Sequence, residues 1–234
     1  MPNQSPHASP LETLSRLRQG NERFASNLRS IEAMTSVARR GELVDAQSPF
    51  AIVLSCSDSR VPAEIIFDCG LGDLFVVRVA GNIAAPSLLG SVEFAAARFG
   101  TRLAIVLGHT GCGAVAATID SLVLKTKIAS ENIRDIVSRI APAVRELVRP
   151  GLSQKELMHA AVRANIRATA DRLRHGSRAL EALFEEEALL VIGAEYSLET
   201  GVVDFFDGVP DSAPRAGKLA GGSGLQAPNG LPVT

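Results

Sequence analysis

Four short apolar runs constrain this chain more than any other feature: 49–55 (PFAIVLS), 74–80 (LFVVRVA), 103–108 (LAIVLG) and 188–193 (ALLVIG). Each is too short for a typical buried helix. The runs barely alternate, which is what a strand shows when neither of its faces meets water. A fifth candidate strand spans 202–206. Helical patterns lie between the runs, at 86–99, 114–124, 133–148 and 153–174. Buried strands alternating with helices build a mainly parallel sheet with helices packed on it, an α/β fold. Upstream, Pro10 precedes Leu11, Leu14, Leu17 and Phe24 at helical spacing, with a break expected near Gly20. A second short helix is expected over 31–40.

The length of 234 residues suits one domain able to bury a sizeable core. We expect that domain over 1–208, with an N-terminal helical arm over about 10–45. The tail 209–234, containing PDSAPRAGKLAGGSG, is poor in apolar residues and rich in breakers, so it is expected to be flexible or laid over a partner subunit. Between 130 and 187 no strand pattern occurs. Arg134, Arg139, Arg145, Arg163, Arg167, Arg172 and Arg178 are interleaved there with acids, as on a solvated, salt-bridged helical face.

Lys+Arg total 24 and Asp+Glu 25, a net charge of −1. No basic excess is available to neutralise phosphates, so no nucleic-acid partner is expected. No apolar run approaches the roughly 18–20 residues of a membrane span. The opening MPNQSPHASP lacks the basic-then-apolar layout of a secretory signal, so a cytoplasmic, reducing setting is expected. The three cysteines cannot make a complete disulfide framework. In such a setting thiols stay free, act as nucleophiles or bind metal.

Two segments carry the chemistry. Ser55-Cys56-Ser57-Asp58-Ser59-Arg60 follows the first strand, and Gly108-His109-Thr110-Gly111-Cys112-Gly113 follows the third. Ligands bind beyond the carboxyl ends of parallel strands. Neighbouring strands would therefore bring Cys56, His109 and Cys112 to one crevice. Two sulfurs and an imidazole suit zinc, and three protein ligands leave the open position of a catalytic site. Cys112 also opens a helix, whose N-terminal partial charge favours thiolate. Asp58 lies close enough in sequence to reach the same site, and Arg60 would keep it ionised and fixed in direction. A His-x-x-Cys alone is a weak signal; its conjunction with Cys-x-Asp-x-Arg is strong. The rival from the residues alone is a cysteine redox or transfer enzyme with His109 as base. Cys69 has no matching ligand role and reads as a buried free thiol.

At these residues the chain resembles the β-class carbonic anhydrases. The resemblance rests on GNERF (20–24), QSP (47–49), CSDSR (56–60), GDLFVVR (72–78), AGN (80–82), SVEFA (91–95) and GHTGCG (108–113), and covers about Leu11 to Asp207. It implies a mostly parallel four-stranded sheet with an additional edge strand, flanked by helices. It implies one zinc ion per chain on Cys56, His109 and Cys112, with Asp58 and Arg60 as the catalytic pair. The implied reaction is reversible hydration of carbon dioxide to bicarbonate and a proton, by attack of zinc-bound hydroxide. The implied assembly is a homodimer or a higher even-numbered homo-oligomer, with the N-terminal helices over the partner.

The resemblance further implies a substrate pocket from Gln47, Phe75, Ala80 and Phe94, shared between two subunits. For Phe75 and Phe94 the alternative is plain core packing. Some bacterial members carry a bicarbonate site of Trp, Arg and Tyr. Here Val53 stands at the Trp position, leaving Arg78 and Tyr196 as its remainder. With Gln47 present and no Trp, the expected zinc form is the open one, with Asp58 off the metal. His7, His159 and His175 match no motif, so no proton shuttle is assigned. Two rivals keep the fold: a carbonyl sulfide or carbon disulfide hydrolase, and a non-catalytic zinc-binding regulatory module. The latter would be expected to have lost Asp58, Arg60 or a ligand.

Overall fold

The structure, a computed structural model, describes residues 8–28, 37–186, 188–211 and 213. Helix α1 (Pro10–Ala25) opens on a capping box, in which Ser9 Oγ accepts from the Glu12 N–H and the Glu12 carboxylate accepts from the Ser9 N–H. Pro10 occupies the first turn, where its missing N–H costs nothing. The helix does not break at Gly20. That glycine sits where α1 crosses the backbone at Phe67, and a Cβ there would collide with the Phe67 carbonyl. Its missing side chain, not its flexibility, is what the fold uses. Helix α2 (Val37–Glu42) runs two residues past the expected end at 40; the expected stretch 31–36 lies outside the described residues.

The strands are β1 (Ala51–Ser55), β2 (Leu74–Arg78), β3 (Leu103–His109), β4 (Leu190–Tyr196) and β5 (Val203–Asp207). They form one sheet in the order β2-β1-β3-β4-β5. The first four are parallel, and β5 runs antiparallel at the edge. This is the expected four-plus-one sheet. Every residue of β1 and β3 is buried, which is why their sequences do not alternate. Ala51, Val53, Ile105 and Ile192 face a layer made by α1 and the short α3 (Ala63–Ile66). Ile52, Leu54, Val106 and Val191 face the other layer. That layer contains α4 (Pro86–Phe99), α5 (Gly113–Val123), α6 (Glu131–Arg145), α7 (Gln154–His175) and α8 (Arg178–Glu185).

Other features also differ from the sequence reading. Helix α8 is additional; Ser177 caps it, its Oγ accepting from the Leu180 N–H. Strand β4 continues past Gly193 to Tyr196 through the buried Glu195, whose carboxylate ends an apolar run in sequence but meets Arg163 in space. The arginines of 130–187 are not all a solvated face. Arg139 does pair along α6 with Asp135, but Arg163 reaches Asp204 at 2.8 Å and Arg174 reaches Asp207 at 2.8 Å, tying α7 to the sheet edge. Of the tail, only 209–211 and 213 are described, and Ala213 is buried against the α1-side core.

Candidate metal centre

Strands β1 and β3 are adjacent and parallel, with Ser55 opposite Leu107. Their carboxyl ends therefore release Cys56 and His109 side by side. Thr110 and Gly111 make a tight turn, Gly111 at φ +68°, and Cys112 caps α5. The two sulfurs and an imidazole nitrogen lie within 4.8 Å of one another. All three residues are buried.

His109 Nδ1 lies 3.0 Å from the Thr110 carbonyl, to which it donates in the tautomer that leaves Nε2 a free acceptor. Nε2 is buried and has no hydrogen-bond partner. A buried nitrogen with nothing to bind beside two thiols is the signature of a metal-ligating imidazole. The donor set fits zinc.

The sulfurs differ. The Cys56 thiol is pulled down, chiefly by a hydrogen bond from the Cys112 thiol; the Asp58 and Gly81 N–H groups add to this against burial. Cys112 is pushed up, first by that same bond to Cys56 and then by burial. The Ala114 and Val115 N–H groups pull Cys112 down, so the helix effect expected from sequence exists but is outweighed. Two thiolates at this distance repel, and without a cation the pair shares one proton. A bound divalent cation removes that repulsion and releases the proton.

Asp58 lies at the edge of this triangle, its Oδ2 3.8 Å from His109 Nε2. Arg60 binds both carboxylate oxygens, Nε to Oδ1 and Nη2 to Oδ2. These bonds hold the Asp58 carboxyl well below the usual carboxylate range. Arg78 fastens the same loop from β2, its Nε donating to the Cys56 carbonyl at 3.0 Å and its Nη2 to the Asp58 carbonyl at 2.7 Å. An anion at Arg78 would compete with these two carbonyls. Tyr196 ends β4 opposite His109, buried in the same cluster as Val53 and beside the Phe24 ring.

Of the four expected pocket residues, Phe75 and Phe94 meet each other. Ala80 opens a short 3₁₀ turn at 80–82, beside Cys56. Phe75 pairs in register with Ile52, four residues before Cys56, so along the strand it lies about 13 Å back from the ligand end. There Phe75, Phe94 and Phe99 form an aromatic cluster with ring centroids 5.7–6.3 Å apart. Phe94 is 55% exposed, and Gln47 is exposed. Cys69 is buried, its Sγ donating to the Phe67 carbonyl at 3.3 Å, as read from sequence. The site residues that sequence reasoning missed are Thr110, through its carbonyl, and Asn165, taken up below. Asn165 carried a signal: it is a polar residue within the apolar stripe of α7.

A family model described as "Carbonic anhydrase" matches residues 51–203. The carbonic anhydrase of Mycolicibacterium smegmatis is 36% identical over 199 residues, covering 85% of this chain and 94% of that protein. Carbonic anhydrase 2 of Mycobacterium tuberculosis is 37% identical over 196 residues, covering 84% and 92%. Among solved structures, the β-carbonic anhydrase CcaA is similar at a TM-score of 0.64 and 28% identity, over 83% of this chain and 95% of that one. A tetrameric β-carbonic anhydrase from Sordaria macrospora shares the fold at a TM-score of 0.63 and 22% identity, over 71% and 84%.

Proposed function

The chain belongs to the β class of the carbonic anhydrase family, enzymes of reversible carbon dioxide hydration, and from that premise we propose that its chemistry runs on one zinc ion held by Cys56, His109 and Cys112. The observation that carries the reading is His109 Nε2, buried, unpartnered and facing two thiols. When bound, zinc supplies the Lewis acidity that turns water into a nucleophile near neutral pH. Two thiolates formally cancel the charge of the cation, so this acidification is weaker than at an all-histidine site.

Asp58 compensates. Ionised and gripped by Arg60, it accepts a hydrogen bond and cannot donate one. It therefore holds the proton-bearing side of the nucleophile and leaves a lone pair for the carbon of the substrate. Arg60 engages both Asp58 oxygens, which supports an open arrangement in which Asp58 would not itself be a metal ligand.

The working unit is a homodimer or a larger even-numbered oligomer in the cytoplasm. The exposure of Gln47 and Phe94 supports a pocket completed across the subunit interface. Gln47 would direct the substrate, and Phe75, Ala80 and Phe94 would supply its apolar walls.

Zinc quantification with stopped-flow carbon dioxide hydration tests the reading. We expect one zinc per chain, lost together with turnover in Cys56→Ser. A metal-free protein that stays inactive after reconstitution would overturn it. Rapid carbonyl sulfide turnover with negligible carbon dioxide hydration would reassign the substrate.

A further inference from the structure

We propose that Asn165 is a positioning residue for the metal centre: acting through the Gly81 backbone, its side-chain amide holds the hydrogen bond that Gly81 gives to the Cys56 sulfur. This rests on the reading of Cys56 as a metal ligand.

The Gly81 N–H donates to Cys56 Sγ at 3.4 Å. The Gly81 carbonyl accepts from Asn165 Nδ2 at 2.8 Å. One glycine thus joins a helix residue, 84 positions away in sequence, to the ligand sulfur. Gly81 stands at φ 73°, ψ 16°, a left-handed conformation that suits glycine. A Cβ there would also meet Ile140 Cδ1 at 2.8 Å and Ala114 Cβ at 3.0 Å. The position therefore takes the residue with the freest backbone, just where an N–H must point at one atom. The peptide that follows it must be held for that direction to last.

The turn is anchored before Gly81 by Val79, whose N–H donates to the Ser55 carbonyl and whose carbonyl accepts from the Ser57 and Asn82 N–H groups. The Asn82 N–H and the Gly81 carbonyl belong to one peptide, which the bond to Val79 holds from one side and Asn165 holds from the other. Asn165 is 2% exposed and points from a helix stripe otherwise made mostly of Ala161, Val162, Ile166 and Ala170. A buried amide in such a stripe needs a partner to offset its desolvation. Its neighbour Ile166 packs under Gly108, where a Cβ would meet Ile166 Cδ1 at 2.5 Å. Successive residues of α7 therefore brace both ligand-bearing segments, Asn165 behind Cys56 and Ile166 behind His109. A hydrogen bond to a thiolate stabilises its charge and orients its lone pairs, and such outer contacts tune metal affinity.

The test uses the full-length protein with zinc or cobalt(II), comparing wild type, Asn165→Ala and the similarly sized Asn165→Asp. Thr169→Val, also on the buried stripe, serves as a control for general damage to α7. In both Asn165 variants we expect zinc affinity to fall about 10- to 100-fold in chelator competition. We expect the sulfur-to-cobalt charge-transfer band to move to longer wavelength, as the sulfur loses a donor. Thr169→Val should leave both unchanged. Folded Asn165 variants with wild-type affinity and an unmoved band would overturn the proposal. Should neither variant fold, hydrogen exchange in the wild type decides: a Gly81 amide that exchanges freely overturns it, and a protected one supports it. A wild-type cobalt protein with no sulfur-to-cobalt band would instead sink the ligand assignment beneath it.

Discussion

Arg60 grips Asp58 through two parallel hydrogen bonds, Nε to Oδ1 at 2.9 Å and Nη2 to Oδ2 at 2.7 Å, and its backbone N–H adds a third to Oδ1 at 3.0 Å. A carboxylate held at both oxygens has one charge state and one direction. The Asp58→Asn variant keeps the shape and removes the charge. It should keep its zinc and lose about 10²-fold or more in turnover, measured by stopped-flow hydration alongside metal content. Arg60→Lys replaces the planar fork with a point charge and should cost about tenfold or more. Because Arg60 is largely exposed, its melting temperature should barely move.

The thiols should separate by reactivity. Cys69 is pushed up to about 12 by burial, whereas Cys56 is pulled down by the hydrogen bond from the Cys112 thiol. In chelator-treated protein at pH 7, iodoacetamide should label Cys56 first and leave Cys69 unmodified until the chain unfolds. Mass mapping of the adducts checks this; early labelling of Cys69 would contradict the buried assignment.

Cys69 also sets a pH dependence. Its folded value lies above its unfolded value, so its contribution to stability is complete below about pH 9. It is lost as pH rises from there through about 12, because the unfolded thiol ionises and the folded one does not. Cys69→Ala should flatten the alkaline fall of a denaturation midpoint series.

Gly20 tests the docking of α1. In an isolated helix Gly→Ala stabilises by about 0.5–1 kcal/mol. Here the added methyl would strike the Phe67 carbonyl, so Gly20→Ala should destabilise by about 1–3 kcal/mol in chemical denaturation.

Arg163 neutralises a buried acid. Glu195 is 5% exposed, with Oε2 bound to Arg163 at 3.2 Å and Oε1 buried without a partner. Arg163→Ala leaves a buried charge without its main counterion and should cost about 2–4 kcal/mol. Adding Glu195→Gln should recover part of it. An additive double mutant would show that the two are not coupled.

The proposed sharing of the pocket between subunits can be tested by complementation. Asp58→Ala and Gln47→Ala should each impair the homo-oligomer. Mixed oligomers should regain activity, because one interface unites an intact Asp58 with an intact Gln47 from the other subunit. No recovery would place the pocket within a single chain.

Much of this was legible in the linear chain, for a physical reason. A strand buried on both faces must be apolar throughout, so the runs 49–55 and 103–108 declared the strands at 51–55 and 103–109 to within two residues, and so did the turns that follow them. The ligand types and their spacing were local facts, as was the Asp58–Arg60 pair two residues apart. Long-range placement was different. That Gly20 meets the Phe67 carbonyl, that Arg163 answers Glu195, and that Asn165 steadies Gly81 depend on which elements pack together, and no periodicity records that. Sequence determined which atoms could bind a metal, because residue type sets donor chemistry. Only the tertiary structure decided which backbone groups hold those atoms in place, because a hydrogen-bond partner is chosen by distance in space.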